Sequence, residues 1–179
     1  MFFTLSNILS LSRVFLLAPF IIYYRSYAVS NNKTDYIIAV SIVIFMIISD
    51  FLDGFFARKL NQITEWGKIL DPLGDKIGAA GVAIALYIYS GLPLWILIVI
   101  ISRDLLILIG ASFLIKKIDH VPSSEWPGKI TAFIIALLLL SYIFNFDAAK
   151  TFLLILSAIS LSYSLLDYIL KFIKLSEKQ

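Results

Sequence analysis

The chain lacks the residues from which several common kinds of site are built. It contains no cysteine, which excludes disulfides and thiolate metal sites. Its one histidine, His120, argues against a histidine-rich zinc or iron site. It has no glycine-rich nucleotide loop of the Rossmann or P-loop type. The net charge of +3 comes from lysines at the ends of apolar segments rather than from a nucleic-acid-binding patch, so no nucleic-acid partner is expected.

Charged residues are also scarce, whereas apolar residues are abundant. Of the 179 residues, 15% are charged and 60% are hydrophobic, and the mean hydropathy is +0.94. A soluble domain of this size is usually nearer half apolar. Almost no charge occurs in the runs 36–49, 92–101, 130–144 and 152–161. This pattern predicts a protein whose solvent is the lipid bilayer.

Six segments are long and apolar enough to be transmembrane helices, which need roughly 20 residues each. They cover about residues 8–24, 36–56, 70–90, 92–115, 129–145 and 150–172. The breaks between them are polar or carry turn residues such as Gly91 and Pro93. The sequence therefore predicts an all-α fold, an integral membrane bundle of six transmembrane helices, with residues 1–179 forming a single domain.

The first apolar segment is interpreted as a retained helix rather than a cleaved signal peptide. No basic residue precedes it, Arg13 interrupts it, and no clear small-residue cleavage site follows it.

The distribution of lysine and arginine sets the expected orientation, because cytoplasmic loops are enriched in both. With six spans, the two termini and the loops 59–68 and 116–128 share one side of the membrane. That side carries Lys59, Lys68, Lys116, Lys117, Lys171, Lys174 and Lys178, with Arg58 and Lys129 at its margin. The other side carries Arg25, Lys33 and Lys150. The sequence predicts a multi-pass protein of the cell (plasma or inner) membrane, with both termini and the site described next facing the cytoplasm.

Four aspartates form the most informative pattern in the chain. Asp50 and Asp53 are three residues apart, and Asp71 and Asp75 are four apart, so each pair shares one face of its helix. The loop between the two helices is short, which predicts an antiparallel helix pair whose four carboxylates converge. Close carboxylates repel one another and need positive charge nearby. Hard oxygen ligands favour Mg²⁺, Mn²⁺ or Ca²⁺, and a pair of Mg²⁺ ions would suit a pyrophosphate group.

Small and basic residues accompany these aspartates. Gly54 and Ala57 leave room for a ligand beside the carboxylates, and Arg58 is placed to contact the same phosphates. Gly67 lies one turn before Asp71 and allows a base or ribose to approach the backbone closely.

Two other interpretations of these acidic residues assign the protein to a different functional class. A cation transporter would space its intramembrane acids along a path, whereas four of them cluster here and only Asp104 and Asp167 lie elsewhere in the spans. An inactive scaffold would not need the whole pattern.

The complete spacing is Asp50-x2-Asp53-Gly54-x2-Ala57-Arg58-x8-Gly67-x3-Asp71-x3-Asp75. It resembles the signature of the CDP-alcohol phosphatidyltransferases at all eight fixed positions, and the resemblance extends to the six helices of that family.

The resemblance implies transfer of a phosphatidyl group from CDP-diacylglycerol to an alcohol acceptor, with release of CMP, and a homodimer. It also implies one or more Mg²⁺ or Mn²⁺ ions, two being expected. Asp50, Asp53 and Asp71 would bind metal, with Asp75 at the edge of the metal site and acting as general base. Gly54, Ala57, Arg58 and Gly67 would hold the CDP portion.

The acceptor depends on residues outside the signature. Arg103, deep in the fourth helix, and Lys129, which opens the fifth, are candidates to bind a phosphate-bearing acceptor. Their surroundings, and the run 7–13, resemble phosphatidylglycerophosphate synthases, whose acceptor is glycerol-3-phosphate. The second arginine usual in that branch is absent from 105–115, and the stretch also resembles cardiolipin synthases of the CDP-alcohol type. Arg103 could alternatively form a structural pair with Asp104 or Asp167.

Overall fold

The computed structural model describes the backbone of residues 5–59, 67–115 and 126–177, and the side chains of residues 11–50, 52, 73–107 and 126–170. Within these ranges the chain is helical and contains no strand. The helices are α1 (Leu5–Ser30), α2 (Lys33–Lys59), α3 (Gly67–Ser90), α4 (Leu94–Ile115), α5 (Trp126–Ile143) and α6 (Asp147–Glu177). Each apolar segment of the sequence thus forms one helix, and the all-α prediction is confirmed.

Residues with left-handed backbone conformation end three of the helices. Asn31, Gly91 and Asn145 have φ of 55°, 72° and 52°, respectively. Glycine and asparagine adopt this conformation at lower cost than other residues. Asn31 follows α1 and donates its backbone N–H to the carbonyl of Tyr27 at 2.8 Å, while the side chain of Asn32 accepts from the N–H of Thr34 at 3.0 Å and caps α2.

The helices fall into two compact units, Met1–Gly91 and Leu92–Gln179. In the first unit α1 packs along both α2 and α3. Its fully buried side chains include Phe20, Tyr24, Ala39 and Leu86, and the Tyr24 hydroxyl is 2.5 Å from the Ser90 hydroxyl. The sequence had predicted α2 and α3 as a direct helix pair. Across the described residues α1 is the main packing partner of each helix, and the direct pairing of α2 with α3 stays a prediction.

Two glycines of α3 permit this close packing. A Cβ atom on Gly81 would collide with the side chain of Leu17, so α1 and α3 approach more closely here than a larger residue allows while Leu17 keeps its position. A Cβ atom on Gly78 would be 3.4 Å from the terminal methyl of Met46 in α2. Leu17 lies one turn after Arg13, so this contact also fixes the position of that arginine relative to α3.

In the second unit α6 packs against both α4 and α5. Leu138 of α5 and Leu161 of α6 are almost fully buried. The Thr131 hydroxyl shares its one proton between the carbonyl oxygens of Pro127, at 2.9 Å, and Ser160, at 3.0 Å, and the contact with Ser160 ties α5 to α6. The single domain expected from the sequence stays a prediction beside these two units.

Much of the outer surface is apolar. On α6 the exposed side chains include Phe152, Ile155, Ile159, Leu166 and Leu170, which recur at helical spacing. Exposed apolar surface of this extent is covered by lipid in membrane proteins. Two helices in the described part of the chain, at Trp126–Ile143 and Asp147–Leu170, are long and apolar enough to cross a bilayer. They indicate a membrane protein, while the full set of six spans stays a prediction.

Candidate functional site

The structure brings two of the four aspartates together on one arginine. Nη1 of Arg13, in α1, donates hydrogen bonds to Oδ1 of Asp50 in α2 and to Oδ1 of Asp75 in α3. Arg13 lies 37 positions before Asp50 and 62 positions before Asp75 in the chain, so these contacts depend on the packing of α1 against both α2 and α3. Asp50 and Asp75 therefore converge on one point, to which Arg13 adds a residue that the predicted site did not include. The convergence of all four aspartates stays a prediction.

Burial differs sharply between the arginine and the two carboxylates. The Arg13 side chain is 4% exposed, whereas those of Asp50 and Asp75 are 55% and 46% exposed. The guanidinium therefore lies beneath the carboxylates on the side of the helix core. The two carboxylates are partly exposed, so a ligand can reach them.

The remaining signature residues lie on the same two helices. Asp53, Gly54, Ala57 and Arg58 belong to α2, Gly67 is the first residue of α3, and Asp71 lies one turn further along α3. The side chains of all six lie outside the described residues. Helical geometry places Asp53 on the Asp50 face of α2 and Asp71 on the Asp75 face of α3.

The donor set suits a divalent metal. Two carboxylate oxygens from different helices converge on one cationic atom, and such oxygens are the ligands that Mg²⁺ and Mn²⁺ prefer. Among side chains that the structure describes, no group of three or more acidic or histidine residues forms a metal cluster. The predicted ligands Asp53 and Asp71 lie outside that set.

Arg103, in the second unit, is held by neighbouring polar groups. It is 8% exposed, and its Nη1 donates to Oδ1 of Asp104 at 2.7 Å while its Nη2 donates to the hydroxyl of Ser164 in α6 at 3.1 Å. The structure therefore contains the Arg103–Asp104 ion pair, which the sequence analysis gave as one alternative. Lys129 is exposed in the first turn of α5.

Comparison with known proteins decides the family. The family model described as CDP-alcohol phosphatidyltransferase matches residues 3–166, which is most of the chain. The chain belongs to the CDP-alcohol phosphatidyltransferase family. It is thus a transferase of phospholipid biosynthesis, in a membrane-associated family whose members generally use divalent metal ions, CDP-diacylglycerol and an alcohol acceptor.

Several relatives carry more specific names. The transferase is 39% identical to the CDP-diacylglycerol--glycerol-3-phosphate 3-phosphatidyltransferase of Aquifex aeolicus, over 97% of this chain and 98% of that protein. It is 34% identical to the protein of the same name from Mycoplasma pneumoniae, over 82% of this chain and 71% of that protein. It is also 33% identical to a probable cardiolipin synthase of Drosophila melanogaster, over 66% of this chain and 35% of that protein.

Sequence reasoning missed the contact of Arg13 with two of the candidate site residues, although a signal was present. It interrupts an otherwise apolar first segment, and a charge within a membrane span needs a partner. The four aspartates were the obvious partners. The spacing of the aspartates predicts a pair of helices, and it gives no indication that a third helix contacts them.

Proposed function

We propose that this transferase moves a phosphatidyl group from CDP-diacylglycerol to glycerol-3-phosphate and releases CMP, so that it acts as a phosphatidylglycerophosphate synthase. The observation that carries the proposal is the convergence of Asp50 and Asp75, from two different helices, on one cationic atom. The names of the relatives from Aquifex aeolicus and Mycoplasma pneumoniae support glycerol-3-phosphate as the acceptor.

In this proposal the carboxylates divide the work at the site. Asp50, Asp53 and Asp71 bind Mg²⁺ or Mn²⁺, with Asp75 at the edge of the metal site. Two ions suit the charge of four carboxylates and a pyrophosphate. When bound, the metal supplies positive charge that stabilises the departing phosphate of CMP. Gly54, Ala57, Arg58 and Gly67 hold the CDP portion.

The reaction exchanges one phosphorus–oxygen bond for another. The acceptor hydroxyl oxygen attacks the phosphorus of the phosphatidyl group, and the bond from that phosphorus to the CMP oxygen breaks. Asp75 receives the hydroxyl proton as general base. Its carboxylate is 46% exposed, so it is open to an approaching hydroxyl group. CMP leaves with the electron pair of the broken bond.

A dianionic acceptor needs cations, and we assign this role to Arg103 and Lys129. Arg103 presents a positive charge that Asp104 and Ser164 hold in place, and Lys129 is exposed in the first turn of α5. Because the ion pair with Asp104 also neutralises part of the Arg103 charge, Lys129 carries the larger share of acceptor recognition in this proposal.

The second candidate is a cardiolipin synthase of the CDP-alcohol type, whose acceptor is phosphatidylglycerol. The observation that favours it is the absence of a second cation from residues 105–115, after Arg103. The similarity to a probable cardiolipin synthase adds support.

An acceptor panel separates the two candidates. The protein, purified in detergent with Mg²⁺ or Mn²⁺ and CDP-diacylglycerol, is offered glycerol-3-phosphate, phosphatidylglycerol, inositol phosphate or serine, and CMP release is measured. We expect the highest kcat/KM with glycerol-3-phosphate. Preference for phosphatidylglycerol would establish the second candidate, and a folded sample that releases no CMP with any acceptor would overturn both.

Metal removal tests the role of the carboxylates. EDTA should abolish CMP release, and excess Mg²⁺ or Mn²⁺ should restore it, because without metal the negative charge on the leaving CMP is not compensated.

A flux measurement tests the alternative of a cation transporter. Proteoliposomes lacking CDP-diacylglycerol should show no uptake of Mn²⁺, whereas a cation transporter would accumulate it.

We further propose the arrangement in the membrane: six spans, both termini and the carboxylates on the cytoplasmic side of the cell membrane, and a homodimer. The excess of lysine and arginine in the termini and in the loops 59–68 and 116–128 supports the orientation.

A further inference from the structure

Arg13 introduces a positive charge into the carboxylate site from a helix that carries none of the signature residues. Its side chain is 4% exposed, and one of its nitrogen atoms contacts oxygens of both Asp50 and Asp75. Its guanidinium brings positive charge and several N–H donors to these oxygens. The close packing of Leu17 against Gly81 keeps α1 in the position that makes the contact possible.

The oxygens that Arg13 contacts belong to carboxylates that the proposed function assigns to the metal site. A guanidinium and a divalent cation cannot occupy the same position between two oxygens, and their charges repel more strongly in a buried site than in water. We propose that Arg13 is an internal competitor of the divalent metal: its guanidinium holds Asp50 and Asp75 in the metal-free protein and must withdraw from their oxygens when the metal binds. This inference rests on the proposed function.

The competitor has a structural benefit in the metal-free protein. Without a cation, carboxylates on neighbouring helices repel one another and separate. Arg13 keeps α2 and α3 joined through their acidic residues, so the site is assembled before metal arrives. The result is weaker metal binding than the same carboxylates would show alone. Arg13 is therefore a positioning residue, which acts through Asp50 and Asp75.

A purely structural ion pair makes a different prediction. Loss of such a pair would lower stability and disorder the carboxylates, so metal would bind with equal or lower affinity. Competition predicts the opposite sign for metal affinity. Affinity measured without any CDP-lipid therefore distinguishes the two roles, independently of catalysis.

The experiment compares Arg13→Gln, Arg13→Lys and the wild-type protein in detergent. Arg25→Gln is the matched control, because Arg25 is exposed on the same helix. Mn²⁺ is titrated without CDP-lipid, and free Mn²⁺ is measured by electron paramagnetic resonance. We expect Arg13→Gln to bind Mn²⁺ at least about tenfold more tightly than wild type, because a like charge has been removed from the site. Arg13→Lys keeps the charge and should stay within about threefold of wild type, as should Arg25→Gln.

Thermal unfolding adds a second readout. In EDTA, Arg13→Gln should unfold at a lower temperature than wild type, and Mn²⁺ should raise its midpoint by more than it raises that of wild type. If the variant stays folded only with Mn²⁺, its affinity is obtained by chelator titration of the loaded protein.

Two results would contradict the inference in different ways. Equal or weaker Mn²⁺ binding by Arg13→Gln, with binding by wild type intact, would overturn the competition and leave the proposed function standing. No Mn²⁺ binding by wild type would overturn the metal assignment itself, and the competition with it.

Discussion

Asp75 has to meet two requirements with one carboxylate. As the proposed general base it must face the acceptor hydroxyl, while one of its oxygens binds a cation, which is Arg13 in the metal-free protein. A carboxylate has two oxygens and several lone pairs, so one edge can bind a cation while the other accepts a proton. The exposure of Asp75, at 46%, is consistent with this division.

Asp75→Asn tests the base directly. The amide keeps the size of the side chain but cannot accept the hydroxyl proton, so CMP release should fall by about 10²- to 10⁴-fold. Binding of CDP-diacylglycerol should be largely spared. Asp147→Asn is the control, because this exposed carboxylate pairs with Lys150 away from the signature. Wild-type turnover in Asp75→Asn would remove the assigned base.

Lys129→Gln tests acceptor recognition. Loss of one charge contact with a dianionic phosphate, about 1 kcal/mol, should raise KM for glycerol-3-phosphate about fivefold with kcat little changed. KM for CDP-diacylglycerol should not move. Lys150→Gln provides the matched control, since that lysine is engaged by Asp147 at 2.7 Å. A parallel rise in KM for both substrates would argue against an acceptor-specific role.

At the scale of helices, the sequence predicts a great deal. The apolar segments and the turn residues Asn31, Gly91 and Asn145 locate six helices and three of their ends. The contact partners are much harder to predict, because helix pairing depends on side-chain shape across distant parts of the chain. The α1 helix illustrates this limit. Its central position in the first unit follows from the contacts of Gly81 and Arg13, and neither residue belongs to a periodic sequence pattern that would identify its contact partner.

Gly81→Val tests whether the close approach of α1 and α3 positions the site. Its new methyl groups would collide with Leu17, and such overpacking costs about 1–3 kcal/mol of unfolding free energy. The thermal midpoint and CMP release should both decrease. Ile84→Val, on an exposed part of α3, is the control.

A compensating substitution sharpens this test. Leu17→Ala in the Gly81→Val background should restore part of the lost stability, because the smaller side chain makes room for valine. If the stability losses of the two substitutions simply add in the double variant, the effect of Gly81→Val does not arise from its contact with Leu17.

At the scale of the whole molecule, the chain consists of two compact units, Met1–Gly91 and Leu92–Gln179, each with one helix that contacts the other two. The proposed donor site belongs to the first unit, whereas the proposed acceptor residues Arg103 and Lys129 belong to the second. The spacing of the aspartates predicts the residues of the first set. The sequence offered Asp104 and Asp167 as alternative partners of Arg103, and the structure shows the pair with Asp104. The sequence could not predict the hydrogen bond from Arg103 to Ser164, because Ser164 carries no charge.

The absence of cysteine makes the membrane arrangement directly testable. Single cysteines at Asn32 and Ala148 should react with a membrane-impermeant maleimide in intact cells. Cysteines at Asn61 and Ser123 should react only after the membrane is permeabilised, because the lysine-rich connections face the cytoplasm in the six-span arrangement. Labelling of all four positions from one side would contradict this orientation.

The positions of Arg13 and its two partners in the chain determine the order in which the three residues are synthesised. The ribosome delivers α1 first, and the carboxylates that receive its guanidinium follow 37 and 62 residues later. In the proposed six-span arrangement, an arginine within a membrane span carries a cost that a charged partner relieves. Neither Asp50 nor Asp75 has been synthesised when Arg13 leaves the ribosome. We therefore expect α1 to reach its final position together with α2 and α3 rather than before them.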